Sequence, residues 1–295
     1  MKQYMRIHLE KLVLKGGALM VRIKDFAGMV LLLLVVIFAF SACSKQPAEK
    51  SRETPKSKVT LTVSAAASLK DAMDEIRDIY AKETSDVNVT CTYASSGSLQ
   101  KQIENGADVD VFLSAANKQM DALEDKGLLE DGTRKTLLGN SLVLVVPRDS
   151  SLVSGFEDLT KDTVKQIALG EPKTVPAGQY AEETFTKMNI LDKIKAKAVY
   201  GKDVKEVLNW VETGNVDAGV VYLSDAITSQ KVKQVAEAPE DSHKPIIYPA
   251  SVIKSSKHKE EAKTFLEFLS GAKAKSVFEK YGFKLLEDSQ SKSAA

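Results

Sequence analysis

The chain is 295 residues long and carries 41 Lys and Arg against 40 Asp and Glu, for a formal net charge of +1. This balance, with no basic stripe, argues against nucleic acid as a partner. Two cysteines and three scattered histidines (His8, His243 and His258) provide neither a disulfide framework nor the ligand spacing of a zinc site.

The first element is Met29 to Phe40, an unbroken apolar run preceded by Arg22 and Lys24 and followed by Ser41-Ala42-Cys43. It is shorter than the roughly 20 residues a spanning helix needs. Small residues stand where a peptidase would cut, so residues 1–42 are expected to be a signal peptide. A small residue just before a cysteine resembles the bacterial lipobox, in which that cysteine is lipidated and becomes the first mature residue. Cys43 is therefore the expected lipid site, although Phe40 stands where leucine is usual. An ordinary signal peptide or an uncleaved anchor is the alternative. Residues 43–58 hold two prolines, several lysines and no apolar periodicity, the composition of a flexible tether.

The folded part is expected from Val59. Val59 to Val63 alternates like a strand, and Leu69, Ala72, Met73, Ile76, Ile79 and Tyr80 then recur at helical spacing. Ser68 is the expected N-cap, with Asp71 as its capping-box partner. Val87 to Tyr93 leads through Ala94-Ser95-Ser96-Gly97-Ser98 into a helix from Leu99; Cys91, inside this alternating run, reads as a structural thiol. Val109 to Leu113 precedes a helix near Asn117 to Lys126, and Leu142 to Val146 ends at Pro147. Gln166 to Leu169 comes before a helix near Tyr180 to Met188, and Val204, Val207, Leu208 and Val211 mark another. Asp217 to Tyr222 is a short strand of the buried kind, and Ile246 to Ile253 is a further strand. Ala262, Phe265, Leu266 and Leu269 line a helix, Gly271 interrupts, and Val277, Phe278 and Tyr281 close the domain. Residues 287–295 are polar and expected to be disordered. The repeated alternation predicts an α/β protein with a largely parallel sheet.

The chemistry falls on turns that join a strand end to a helix start: Ala67-Ser68, Ser96-Gly97-Ser98, Val175-Pro176-Ala177-Gly178 and Lys202-Asp203-Val204. Helix N-termini present unpaired N–H groups and partial positive charge, so they suit anions. In open α/β sheets ligands lie beyond the carboxyl ends of the strands, where these turns are expected. The bland reading of each serine is a helix cap, and Lys173, Lys202 and Arg134 read as solvated surface charges.

Taken in order, Ala65-Ala66-Ala67-Ser68-Leu69, Ala94-Ser95-Ser96, Leu138-Gly139-Asn140-Ser141-Leu142, Val175-Pro176-Ala177-Gly178-Gln179-Tyr180-Ala181, Gly219-Val220-Val221-Tyr222 and Pro239-Glu240-Asp241-Ser242-His243 form a pattern. With it the chain resembles the molybdate-binding proteins of bacterial ABC importers, over about Val59 to Leu285. The resemblance implies a type II periplasmic-binding-protein fold, with one α/β lobe from residues 59–140 plus 242–286 and a second from 141–241. It implies molybdate or tungstate in the cleft, held by the hydroxyls of Ser68, Ser96 and Tyr222 and by the backbone N–H groups of Ala177 and Val204. It implies no cofactor, no catalysis and no direct metal-ion ligand. The expected partners are an ABC permease and, through the lipid on Cys43, the outer face of a membrane, with the protein itself a monomer. Gly97 departs from the serine or threonine common at that place, which removes one hydroxyl.

A donor-only site suits a fully ionised anion, because a protonated phosphate would bring a hydrogen needing an acceptor. Sulfate, thiosulfate or phosphate receptors are the alternatives within the binding class. The rival from another class is an extracytoplasmic serine hydrolase, in which His243 would have to meet Ser68 or Ser96 as a base.

Overall fold

The computed structural model describes residues 58–286. The expected leader, Cys43 with its tether to residue 57, and the tail 287–295 lie outside the described residues. The chain builds two sheets.

The first sheet contains β1 (Val59–Ala66), β2 (Val87–Ala94), β3 (Val111–Leu113), β4 (Lys135–Gly139), β10 (Ile247–Val252) and β11 (Lys284–Leu285), in the order β11-β4-β10-β3-β1-β2. The second contains β5 (Leu142–Pro147), β6 (Ile167–Gly170), β7 (Ala198–Gly201), β8 (Ala218–Tyr222) and β9 (Val232–Glu237), in the order β7-β6-β8-β5-β9.

Both sheets are mixed, which corrects the expectation of a largely parallel sheet. β1 pairs in parallel with β2 and β3, and β6 with β7 and β8. β10 and β5 run antiparallel to their neighbours. The reason is connectivity: strands fed by a helical crossover come out parallel, whereas β5 is the strand by which the chain enters the second sheet and β10 the one by which it returns to the first. The two crossing segments lie side by side, with Asn140 N donating to Ile246 O at 3.3 Å and Ala238 N to Leu142 O at 2.8 Å. The short or solvent-facing strands β4, β7, β9 and β11 have no sequence counterpart among the expected elements. β9, for example, exposes Lys233, Gln234 and Glu237, which hides its alternation.

Helices cover the sheets with one apolar stripe each. α1 (Lys70–Glu83) buries Ala72, Met73, Ile76 and Tyr80, and α6 (Val204–Glu212) buries Val204, Val207, Leu208 and Val211 at the i, i+3, i+4, i+7 spacing. α2 (Ser96–Glu104) and α3 (Asn117–Glu124) follow β2 and β3. α4 (Pro176–Lys187) opens on a proline whose missing N–H costs nothing at that position. It lies so close to the end of β6 that a Cβ on Gly178 would stand 2.0 Å from Gly170 O, so glycine is required for the approach. The shorter α5 (Leu191–Lys195) and α7 (Leu223–Ala226) and the closing pair α8 (Lys259–Leu269) and α9 (Ala272–Lys280) complete the fold.

Candidate functional site

The strand register brings the turns together. Ala66 of β1 is paired with Ala94 of β2, so Ser68 and Ser96 each follow two residues beyond neighbouring strand ends. In the second sheet Gly170 is paired with Gly201, and the chain runs from these two ends into Ala177 and Val204. Tyr222 is the last residue of β8 and stands opposite Leu142, the first residue after the crossing. All five are buried, between 0% and 4% exposed.

Their local settings differ from simple caps. Ser68 is not the N-cap of α1: it lies in a 3-10 turn, Ala67–Leu69, and Leu69 precedes the helix without a side-chain cap bond. The Ser68 Oγ instead lies 2.9 Å from Tyr248 Oη. Ser96 is the first residue of α2, capped by Ser95, and its Oγ accepts a bond from the Ala115 amide at 2.9 Å. Ala177 is the second residue of α4, ahead of Gly178 and Gln179, whose amides both donate to Val175 O. Val204 opens α6 behind Asp203, whose carboxylate accepts from Glu206 N at 3.0 Å. The amides of Ala177 and Val204 therefore sit where a helix offers no carbonyl one turn back.

Tyr222 carries the most telling atom. Its hydroxyl is fully buried and has no hydrogen-bond partner among the described residues, a state that costs free energy unless a ligand takes the bond. Its ring lies edge-on to Tyr248 with centroids 5.9 Å apart, which places its neighbourhood beside Ser68. Burial raises the pKa of both phenols well above the ordinary value of 10.0, so each is a proton donor at neutral pH.

Contacts between the two sheets' elements frame the site. Gly97 N donates to Thr174 O at 2.9 Å, which joins the start of α2 to the loop before α4. Lys205 Nζ lies 2.7 Å from Asp71 Oδ2 on α1 and 3.0 Å from Asp225 Oδ1 on α7. The Asp225 carboxylate is completely buried; desolvation raises its pKa, against the opposing pull of Lys205. Burial alone would lower the pKa of Lys205, but Asp225 and Asp71 outweigh it and hold the ammonium charged.

Sequence reasoning missed four of these residues. Lys205 reads as one more charge on an amphipathic helix, and Tyr248 as a core aromatic in an apolar strand. Asn140 and Ser224 give no periodic signal. Asn140 enters the sequence reading as a member of the Leu138 to Leu142 motif and as the end of the first lobe segment, not as a site residue. In the structure its Nδ2 donates to Ser224 Oγ at 2.8 Å and to Tyr248 Oη at 3.2 Å, while its Oδ1 accepts from Ser141 N at 2.9 Å. Lys173 and Lys202 are exposed as expected. Arg134 is instead engaged, pairing with Asp121 at 2.6 Å and with Glu124.

A hollow of about 350 Å3 lies along the crossing segments, lined by Gly139, Asn140, Glu237, His243 and Ile247 among others. None of Ser68, Ser96, Ala177, Val204 and Tyr222 lines it, so it is not the candidate site. His243 faces Lys244 O through Nδ1 at 2.7 Å and tilts against Tyr180, and neither Ser68 nor Ser96 is bonded to it.

Residues 61–284 match the family described as bacterial extracellular solute-binding protein. The chain belongs to that family. It is 47% identical over 251 residues to the lipoprotein YvgL of Bacillus subtilis (strain 168), provisionally described as an ABC transporter substrate-binding protein, with 85% of this chain and 96% of that one covered. It is 43% identical over 229 residues to the molybdate-binding protein ModA of Haemophilus influenzae, covering 76% and 89%. Among solved structures it is similar to the substrate-binding domain of a provisionally assigned molybdenum ABC transporter from Clostridium difficile. That likeness has a TM-score of 0.62 and 51% identity, over 78% of this chain and all of that one. The resemblance read from the ordered motifs and the expected binding-protein fold therefore hold, with two mixed α/β sheets in place of largely parallel ones.

Proposed function

We propose that this chain captures molybdate or tungstate outside the cytoplasmic membrane and delivers it to an ABC permease. The observation that carries the reading is the buried, unpartnered Tyr222 hydroxyl, on a ring that packs against Tyr248, the partner of Ser68, at strand ends that also present Ser96 and the first amides of α4 and α6. A buried oxyanion needs many hydrogen bonds but no formal counter-charge when helix starts and hydroxyls surround it. The similarity to a molybdate-binding protein and to the substrate-binding domain of a molybdenum transporter supports the choice of anion.

In this reading Ser68, Ser96 and Tyr222 donate through hydroxyls and Ala177 and Val204 through backbone N–H groups. The parts 59–140 plus 242–286 and 141–241 act as lobes that close on the anion, and closure is what the permease reads. The protein works as a monomer, without cofactor and without catalysis, tethered by lipid on Cys43. A serine hydrolase is disfavoured because His243 bonds Lys244 O and not a serine.

Calorimetric titration of the purified protein with molybdate, tungstate, sulfate, thiosulfate and phosphate is the test. Tight binding of the first two, with the other three at least about tenfold weaker, is the expected result. Preference for sulfate or phosphate would replace the proposed cargo.

A further inference from the structure

We propose that Asn140 and Tyr248 are positioning residues: their hydrogen bonds run in one direction and hold the Ser68 hydroxyl as a donor towards the oxyanion. The proposal rests on the reading above, in which Ser68 faces the anion.

The direction follows from donor and acceptor bookkeeping, atom by atom. Asn140 Oδ1 accepts from the Ser141 amide at 2.9 Å, which fixes the other end of the side chain as the NH2 group. That group donates to Ser224 Oγ and to Tyr248 Oη. A hydroxyl that accepts such a bond gives its own proton elsewhere, and the oxygen 2.9 Å from Tyr248 Oη is Ser68 Oγ. Burial keeps the Tyr248 phenol protonated, so the proton is always there to give. Ser68 Oγ thus accepts from Tyr248, and its own O–H is left for the ligand. Ser96 reaches the same state in one step, because its Oγ accepts from the Ala115 amide.

Both serines are polarised as donors before any anion arrives. An anion whose oxygen carries a proton meets an O–H already aimed at it from each serine, so the relay favours fully ionised oxyanions. Asn140 also lies on the crossing between the sheets, bonding Ser224 beyond β8 and Tyr248 on β10.

Reversing the relay tests it. Asn140→Asp keeps the acceptor for the Ser141 amide but turns the donor into a second acceptor. Tyr248 then donates to residue 140, Ser68 donates to Tyr248, and the serine shows the anion a lone pair. Calorimetry with molybdate and with inorganic phosphate at neutral pH should give a molybdate affinity lowered more than about tenfold, with phosphate weakened less. The molybdate-to-phosphate ratio therefore falls, and because an added carboxylate charge alone would also disfavour the dianion, the double variant decides between relay and charge. In the double variant Asn140→Asp/Tyr248→Phe the link is cut, and the Asp substitution should cost markedly less than it does alone. Tyr248→Phe by itself should lower the ratio a few-fold, which keeps the test available if Asn140→Asp does not fold. Wild-type binding with additive variants and an unchanged ratio overturns the relay alone. A wild type that binds none of the oxyanions overturns the relay and the proposed function together.

Discussion

The amide of Gly97 meets the carbonyl of Thr174 at 2.9 Å, and no side chain fits between the two residues. A Cβ at position 97 would stand 2.6 Å from Thr174 O and 2.8 Å from its Cα. The glycine that removes a hydroxyl from the turn thus permits elements of the two sheets to approach backbone to backbone. Gly97→Leu, bulkier than the serine or threonine common at that place, is expected to hold them apart, weakening molybdate binding at least about tenfold through the stretched donors. Small-angle scattering should show the wild type contracting on saturation and the variant contracting less. Equal contraction and equal affinity would remove the steric argument.

Removing one hydroxyl from the site leaves an oxyanion lone pair unpaired, which costs on the order of 1.5–3 kcal/mol. Ser68→Ala, Ser96→Ala and Tyr222→Phe should each lower molybdate affinity about tenfold or more by calorimetry. Tyr222→Phe should also leave the ligand-free protein no less stable, because its hydroxyl has no partner among the described residues. Lys173→Ala and Lys202→Ala, which change exposed charges, should shift affinity only a few-fold and mainly at low salt.

Lys205 supports Asp225 and Asp71 unequally. Asp225 is completely buried, whereas the Asp71 side chain is 37% exposed. Lys205→Met should therefore destabilise the fold by about 3–5 kcal/mol, since it strands a buried carboxylate. The double variant Lys205→Met/Asp225→Asn should recover a large part of that loss in urea denaturation, and Asp71→Asn should cost well under half of it. A small effect of Lys205→Met would mean that Asp225 is protonated.

Glu104, whose side chain is 10% exposed, is held by Lys101, Gln100 and Lys126, and these bonds bring its pKa down from 4.5 to about 2. A carboxylate with a lowered folded-state pKa stabilises above its unfolded value, and the gain is lost as pH falls through the folded one. Wild type and Glu104→Gln should differ in Tm at neutral pH. The difference should shrink between pH 4.5 and about 2, and a gap that persists at the acid end would contradict it.

The mature protein is expected to begin at Cys43 and to carry at least two acyl chains there, because one chain anchors only marginally. Mass spectrometry of the membrane fraction checks this. An unmodified Cys43 within a retained leader would sink it.

Local signals made the alternating elements and four anion-suited turns legible in the sequence. Strand and helix periodicities and small residues before a helix act within about ten residues of each other, and the family resemblance followed from their order. The expected site residues Ser68, Ser96, Ala177, Val204 and Tyr222 were what that resemblance implies at matching positions. Tertiary structure decided which strands pair, that both sheets are mixed, and what each hydroxyl does. Ser68 looked like a cap because a cap is local, yet its bond goes to Tyr248, 180 residues away. Lys205 meets Asp71 across 134 residues, and the need for glycine at position 97 comes from Thr174. Hydrogen bonds between distant segments depend on how the sheets bring strand ends together, and no periodicity along the chain encodes that.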